Sequence, residues 1–366
     1  MTNVNDQVDV EPPNTARTFS GAPGKENRRR RLLRAIAGPA VLLVAMVGLG
    51  QALDPTDVFT LRLVVVYALF ALATNLLIGY GGLVSFGQAA FFGAGAYTVA
   101  LGWLHWQTSF WLTFALTPVV GGVLALVVGA ICLRTRRLYF ALLTLAFSQL
   151  FYVVANAGFE FTRGADGIFG AIIPEFLRGR DPINGYTFIL TVASVAAVLL
   201  WKVTISPFGL VLRATRENRE RIQALGVNVY AHQLMTFVIS GCFCALAGAL
   251  YVVASGSATL DLLDWTQSGD AVYMVVIGGM YTFLGPALGA LLYTFGLDYV
   301  TQSDLGHWQL FLGLALLAVV LFRPDGLAGL LSPSTWRDRL RRKQRDSGSA
   351  HDDNTGHATP DVEDGR

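Results

Sequence analysis

The sequence predicts an all-α fold, a polytopic bundle of transmembrane helices, on three observations. Hydrophobic residues make up 53% of the 366 and charged residues only 14%, where a soluble domain carries about a quarter. Apolar stretches of roughly 18 residues or more recur through the middle of the chain, long enough to cross a hydrocarbon core of ~30 Å as helix. These runs are continuous rather than alternating, which selects helices over a closed barrel. Those two architectures are the ones that satisfy every backbone hydrogen bond in lipid.

Residues 1–34 are polar and end in a basic run of Lys25, Arg28, Arg29, Arg30, Arg31 and Arg34. The composition reads as a disordered tail. An apolar span follows at once, so the basic run is a topology signal rather than a nucleic-acid site. That first span covers 35–53. A signal peptide is the rival reading, with Gly48-Leu49-Gly50 as a passable cleavage site, but the span is long for that role. Further spans are expected at 61–79, 83–103, 109–131, 138–155, 186–203, 233–254 and 307–323. Between the last two, a Gly-rich apolar stretch at 270–302 is too long for one ordinary span, and Gly278-Gly279 and Gly285-Pro286 punctuate it. A second polar tail occupies 332–366.

The net charge of +2 carries little information; its placement carries more. Lys and Arg concentrate in cytoplasmic loops. With residue 34 inside, Asp54 and Asp57 fall outside, and Arg134, Arg136 and Arg137 inside. The loop 156–185 falls outside, the loop 204–232 inside, and the acidic loop with Asp261, Asp264 and Asp270 outside. Arg323 and the run Arg337, Arg339, Arg341, Arg342 and Lys343 belong inside. Hence 270–302 begins and ends on the outer face, as two short crossings or a re-entrant segment. The total is about ten spans, or eight with a re-entrant segment, and both termini are cytoplasmic. The localisation implied is a multi-pass protein of the cell membrane.

Small residues recur at helical spacing: Ala89, Gly93, Ala96 and Ala100; Gly241, Ala245 and Gly248; Gly285 and Gly289. Such stripes let membrane helices approach closely. Ordinary helix packing explains them in any polytopic protein. Packing around a pathway is the functional alternative. The polar residues Asn75, Ser85 and Gln88 flank Gly79, Gly81 and Gly82 and favour it, because unwound backbone at membrane depth is tolerated where it lines a cavity or is covered by protein. These three are the candidate substrate-pathway residues. Cys132, Cys242 and Cys244 lie in apolar context and read as small packing residues, not as a metal or redox pair.

No intramembrane carboxylate or histidine cluster stands out as a proton relay. Asp298 is the best candidate and lies near the expected outer end of its helix. There is no G-x-x-x-x-G-K-[ST] loop, since Gly24-Lys25 lacks the upstream Gly and the following Ser or Thr. No nucleophile–base pair or zinc motif is present, so an enzyme has nothing to rest on, and the chain is expected to bind no cofactor or metal of its own. If transport here is active, its energy comes from another subunit.

The loop 204–232 is the most informative polar segment. It opens with Ser206-Pro207-Phe208-Gly209, continues through Arg213, Arg216, Glu217, Asn218, Arg219 and Arg221, and closes on Ala224-Leu225-Gly226-Val227. Its charged middle reads as a short surface helix with Gly226 as its C′ residue. A solvated linker is the plain interpretation. A docking helix for a cytoplasmic partner is the functional one.

At these residues the chain resembles the permease subunits of branched-chain amino acid ABC transporters, in particular the M-type of the two paired subunits. Five segments carry the likeness: Asn75 to Tyr97, with Gly79-Tyr80-Gly81-Gly82 and Ser85-Phe86-Gly87-Gln88; Leu138 to Phe147; Thr162-Arg163-Gly164-Ala165-Asp166-Gly167-Ile168; Ser206 to Gly248; and a last set of Gly278-Gly279-Met280, Gly285-Pro286, Gly289-Ala290 and Phe322-Arg323-Pro324-Asp325-Gly326-Leu327. The resemblance implies an importer in which this chain and a second permease subunit form the pathway. Two cytoplasmic ATPase subunits use ATP, and an extracytoplasmic binding protein delivers the ligand. It makes 206–226 the ATPase-coupling loop, with Arg213, Arg216, Glu217, Asn218, Ala224, Leu225 and Gly226 as its marked residues. One departure is that Arg221 and Ile222 stand where the family commonly has two small residues. Urea, short amides, sugars or nucleosides are alternative cargoes of related permeases. A carrier driven by protons or sodium and working alone is the competing class; it would need a buried ionisable residue.

Overall fold

The structure is a computed structural model that describes residues 55–135, 138–170, 173–174, 177 and 182–302, with 313 and 326. The expected spans at 35–53 and 307–323 and the polar tails lie outside the described residues, as do Asp54, Arg136 and Arg137.

Helix α1 (Pro55–Asn75) runs on into a π-helical turn, Leu76–Tyr80, and the chain then leaves helical geometry until α2 (Gln88–Trp106). There follow α3 (Phe110–Cys132), α4 (Leu138–Ala157) and a single turn, α5 (Phe159–Thr162). After a two-residue strand, β1 (Ile168–Phe169), come α6 (Pro182–Ile205), the short helices α7 (Pro207–Glu217) and α8 (Arg219–Ala224), and the long α9 (Val229–Ser255). A second short strand, β2 (Ser257–Ala258), leads to α10 (Trp265–Gly278) and α11 (Gly285–Gln302). Among the described residues, five helical stretches are long and apolar enough to cross a membrane: Asp57–Tyr80, Phe110–Cys132, Leu138–Ala157, Ile183–Ile205 and Val229–Ser255.

Helices α1 and α9 form the centre. The first packs on α6, α9 and α11, and the second on α1, α2 and α3. Phe70, Phe91, Phe92, Phe140 and Phe237 fill the core between them. The outer helices are apolar on the face turned away from the bundle: Leu112, Leu116, Val119, Val123 and Val127 of α3 and Leu142, Leu150, Val153 and Val154 of α4 are all exposed. Apolar side chains on the outside and polar ones within suit lipid rather than water as the surrounding solvent. Pro118 stands inside α3 and cannot donate to the carbonyl four residues back. The Thr117 hydroxyl donates to that Phe114 carbonyl at 2.8 Å instead, so the interruption leaves no orphan.

The long stretch at 270–302 is a helical hairpin. Gly278 lies against Gly285 and Gly289 against Met274, so α10 and α11 run antiparallel. Helix α11 lies along α1, with the Thr60 hydroxyl 3.4 Å from Asp298 at one end and Asn75 Nδ2 donating to the Thr282 carbonyl at 3.3 Å at the other. The hairpin therefore starts and finishes at the Thr60 end of α1, and its turn reaches the π-helical end. Helix α10, at 14 residues, is about 21 Å long and α11, at 18 residues, about 27 Å. The structure corrects one detail. Asp270 does not lie in a loop but in the second turn of α10, because Asp264 already caps that helix through the Thr266 N–H at 2.8 Å.

The two ends of the molecule differ. At one, β1 and β2 pair antiparallel, Ile168 opposite Ala258 and Phe169 opposite Ser257, so the segment 158–169 is ordered against the exit of α9. At the other stand α7 and α8. The 27 residues of α9 hold the two ends about 40 Å apart.

Candidate functional site

The π-helical turn at the end of α1 is where the chain's special features meet. Its carbonyls are taken one by one. The Gly81 N–H donates to Leu76 at 3.2 Å, Leu83 to Leu77 at 2.9 Å and Gly82 to Ile78 at 3.2 Å. The next carbonyl, of Gly79, accepts from the Arg216 guanidinium of α7. Gly82 has φ +66°, a left-handed turn that glycine takes without penalty, and the aliphatic stem of Arg216 lies across it, with Cβ 3.4 Å from where a Gly82 side chain would begin. Gly79 itself leaves no room for a side chain against the Met280 carbonyl.

The non-helical segment 81–87 is fixed by side chains from several helices. The Phe86 N–H donates to Thr144 of α4 at 3.2 Å. The Ala89 N–H, one of the orphan donors at the start of α2, donates to Ser268 of α10 at 2.8 Å. Ser85 accepts from the Gly87 N–H at 3.2 Å and from Gln88 Nε2 at 3.4 Å. Gln88 Oε1 accepts from Ser240 at 3.2 Å and from the Cys244 thiol at 3.2 Å, both on α9. Ser240 is also within 2.7 Å of the Ala73 carbonyl.

Of the three residues marked as a pathway, the structure joins Ser85 and Gln88 in this network and places Asn75 on a different partner, the turn of the hairpin. All three are buried. Asn75 Oδ1 has no hydrogen-bond partner. Sequence reasoning did not find Thr144, Ser240, Ser268, Tyr281 or Thr282. Thr144 and Ser240 are single hydroxyls in apolar runs, and nothing local distinguishes Ser268 from its polar neighbours Thr266 and Gln267 or marks the adjacent Tyr281 and Thr282. The cysteines form no disulfide, and Cys244 is a hydrogen-bond donor as well as a small buried residue.

The small residues line close helix approaches. Ala89 and Gly93 of α2 face α10 and the segment before it, Gly93 with a Cβ position 3.0 Å from the Leu262 carbonyl oxygen. Gly241 of α9 meets Gly121 and Ala125 of α3, and Gly248 meets Phe92 of α2. Gly285 and Gly289 face α10 across the hairpin.

The segment 206–226 forms two helices, not the single one its charge pattern suggests. Ser206 caps α7 through the Gly209 N–H at 3.4 Å, with Pro207 at the first helical position. Asn218 breaks the run. Its backbone is extended, and its side chain accepts from the Arg221 N–H at 2.9 Å, so it caps α8 in its own right. Gly226 ends α8 at φ +82°, its N–H bonded to the Gln223 carbonyl at 2.9 Å and that of Val227 to Ile222 at 3.4 Å, the paired bonds of a Schellman end. The two helices sort the marked residues into two faces. Leu212 and Thr215 are buried and Arg216 is half-buried against the bundle. Arg213 is exposed, although its guanidinium reaches the Thr204 carbonyl at 3.4 Å and lies 5.8 Å over the Tyr80 ring. Glu217, Asn218, Ala224, Leu225 and Gly226 are exposed on the other side, Leu225 by 73%.

A lipid-facing helical bundle with an interrupted central helix and an open helical arm is the construction of a multi-pass membrane permease. Residues 58–321 match the family described as branched-chain amino acid transport system / permease component, and the chain belongs to that family as an M-type permease. It is 26% identical over 335 residues to the high-affinity branched-chain amino acid transport system permease protein LivM of Salmonella typhimurium, covering 85% of this chain and 77% of that one. A probable branched-chain amino acid transport permease protein LivM of Methanocaldococcus jannaschii is 26% identical, with 71% of this chain and 90% of that one covered. The galactose/methyl galactoside import permease protein MglC of Salmonella typhimurium is 28% identical over 57% of this chain and 66% of that one. No solved structure matches the chain.

Proposed function

We propose that this chain forms one half of the translocation pathway of an ATP-driven importer of branched-chain or related hydrophobic amino acids. A second permease subunit supplies the other half. Two cytoplasmic ATPase subunits dock on the exposed face of α7 and α8, and a binding protein delivers cargo at the β1–β2 end. The chain crosses the membrane ten times, with α10 and α11 as two short crossings and both termini cytoplasmic. It hydrolyses nothing itself.

The observation that carries this reading is the two-faced segment 206–226, with one side inserted under the bundle and the other open. A partner that moves the open side pushes directly on the interrupted end of α1, and the pathway residues proposed, Asn75, Ser85 and Gln88, lie around that interruption. The relatives named for branched-chain amino acids support this cargo, since they match more of the chain than the sugar permease does. That same sugar relative supports a second reading, an importer of the same class carrying another small polar solute.

The test is uptake of labelled leucine in cells with and without the gene, with unlabelled isoleucine, valine and galactose as competitors. Gene-dependent uptake blocked by the branched-chain competitors supports the cargo. Uptake independent of the gene refutes it, and the same cells are then tested with sugars and urea.

A further inference from the structure

Arg216 occupies a position that the docking role of its loop does not explain. It does not face outward with Glu217 and Asn218. Its guanidinium turns into the bundle, donates to the Gly79 carbonyl, and lies 5.1 Å from the centre of the Tyr281 ring in the hairpin turn. Its stem covers Gly82. Three elements, α7, the π-helical end of α1 and the α10–α11 turn, thus share one side chain.

Each contact has a physical cause. The last carbonyls of a helix carry partial negative charge and lack intrahelical partners. The carbonyls of Leu76, Leu77 and Ile78 are met by backbone N–H groups, and a cation is the favourable donor for the next. A guanidinium also presents a flat face to an aromatic ring while its edge donates hydrogen bonds, which an ammonium does less well. The hairpin turn is tied to the same place independently: Asn75 Nδ2 donates to Thr282 at 3.3 Å, and Gly326 packs on Gly278 and Gly279, its Cβ position 2.9 Å from the Gly278 carbonyl carbon.

We propose that Arg216 is the positioning residue that transmits movement of α7 to both the interrupted end of α1 and the α10–α11 turn, so that the two shift together. This rests on the ATP-driven reading above. Arg216 is not itself part of the face that binds the ATPase subunits.

The test uses the whole transporter, assembled with its partner subunits in proteoliposomes, with Leu284→Cys as a reporter in the hairpin turn. Leu284 is 63% exposed, and the native cysteines are buried or half-buried. The rate of labelling by a thiol reagent is compared without nucleotide and with ATP and vanadate. In the parent the two rates differ by about tenfold, an ordinary size for coupling between sites. Arg216→Ala brings them to within about twofold while ATP hydrolysis and recovery of the ATPase subunits persist. Arg216→Lys keeps part of the difference, since it can still donate to Gly79. Tyr281→Leu, at a 58% exposed position where folding is not at stake, also reduces it. A full response in Arg216→Ala overturns the proposal, whatever Tyr281→Leu does. So does loss of the response in step with loss of the ATPase subunits, which would put Arg216 in the docking face. A parent with no response to ATP removes the ATP-driven reading and this inference with it. A parent that responds but does not carry leucine refutes only the cargo.

Discussion

Gly248→Ala tests how tightly the centre of the bundle is closed. Gly248 sits on α9 where it crosses α2. A Cβ added there would overlap the Phe92 carbonyl oxygen and lie 2.7 Å from its carbon and 3.1 Å from the Ala96 nitrogen. Carbon atoms settle at about 3.5–4.0 Å, so the two backbones must part by about 1 Å. No flexible side-chain end is available to yield. Overpacking of this kind destabilises by about 1–3 kcal/mol, and the better helix propensity of alanine returns up to ~1 kcal/mol. The net range is about 0–3 kcal/mol, and overlap with backbone rather than a side-chain end places the loss in its upper part. Gly95, one turn away on the same crossing, is equally closed, its Cβ position 2.6 Å from the Ala245 Cα, so separation at one point loosens both. The assay is thermal unfolding of the purified protein in detergent, with Gly296→Ala as control, because nothing lies within 4 Å of a Cβ at that position. Gly248→Ala should unfold at lower temperature than the parent and Gly296→Ala at the same temperature or higher. A Gly248→Ala protein as stable as the parent would refute the close α2–α9 contact.

Gln88→Leu removes the acceptor of the Cys244 thiol and the donor to Ser85, while Ser240 keeps the Ala73 carbonyl; it should destabilise by about 1 kcal/mol, read in the same unfolding assay. Gly226→Pro removes the N–H bonded to Gln223 and forbids the φ of +82°; uptake should fall by about tenfold or more while the chain still inserts in the membrane, and normal uptake would show that the end of α8 is not needed. Leu225→Asp places a charge on the most open part of the proposed docking face. It should lower recovery of the ATPase subunits on the permease by about tenfold without changing the unfolding temperature; full recovery would move the docking face elsewhere.

Hydropathy made most of the helices legible, because a lipid-facing helix must be apolar over its whole length. It was blind at Leu83, Val84 and Phe86, which read as the start of a span although the chain is not helical until Gln88. Apolar composition reports depth, not backbone geometry, and the bonds that hold 81–87 come from Thr144 and Ser268, far away in sequence. The hairpin was legible in its punctuation at Gly278-Gly279 and Gly285-Pro286, since both pairs fall at helix ends. Asp270 was misplaced because a carboxylate ordinarily marks a loop in a membrane chain; the cap at Asp264 was the signal that the helix had already begun. In 206–226 the residues were found but not their faces. Charge alone grouped Arg216 with Glu217, whereas the fold turns one inward and the other outward. Pairs such as Gln88 and Ser240, 152 positions apart, leave no trace in a single sequence.

The most direct test is leucine accumulation in proteoliposomes holding this chain with its partner subunits and binding protein, measured with the membrane potential and ion gradients collapsed. Accumulation that begins on supplying ATP to the ATPase side, and stops when hydrolysis is blocked, is the expected result. Accumulation that needs an ion gradient and proceeds without ATP would contradict an ATP-driven permease and restore the stand-alone carrier.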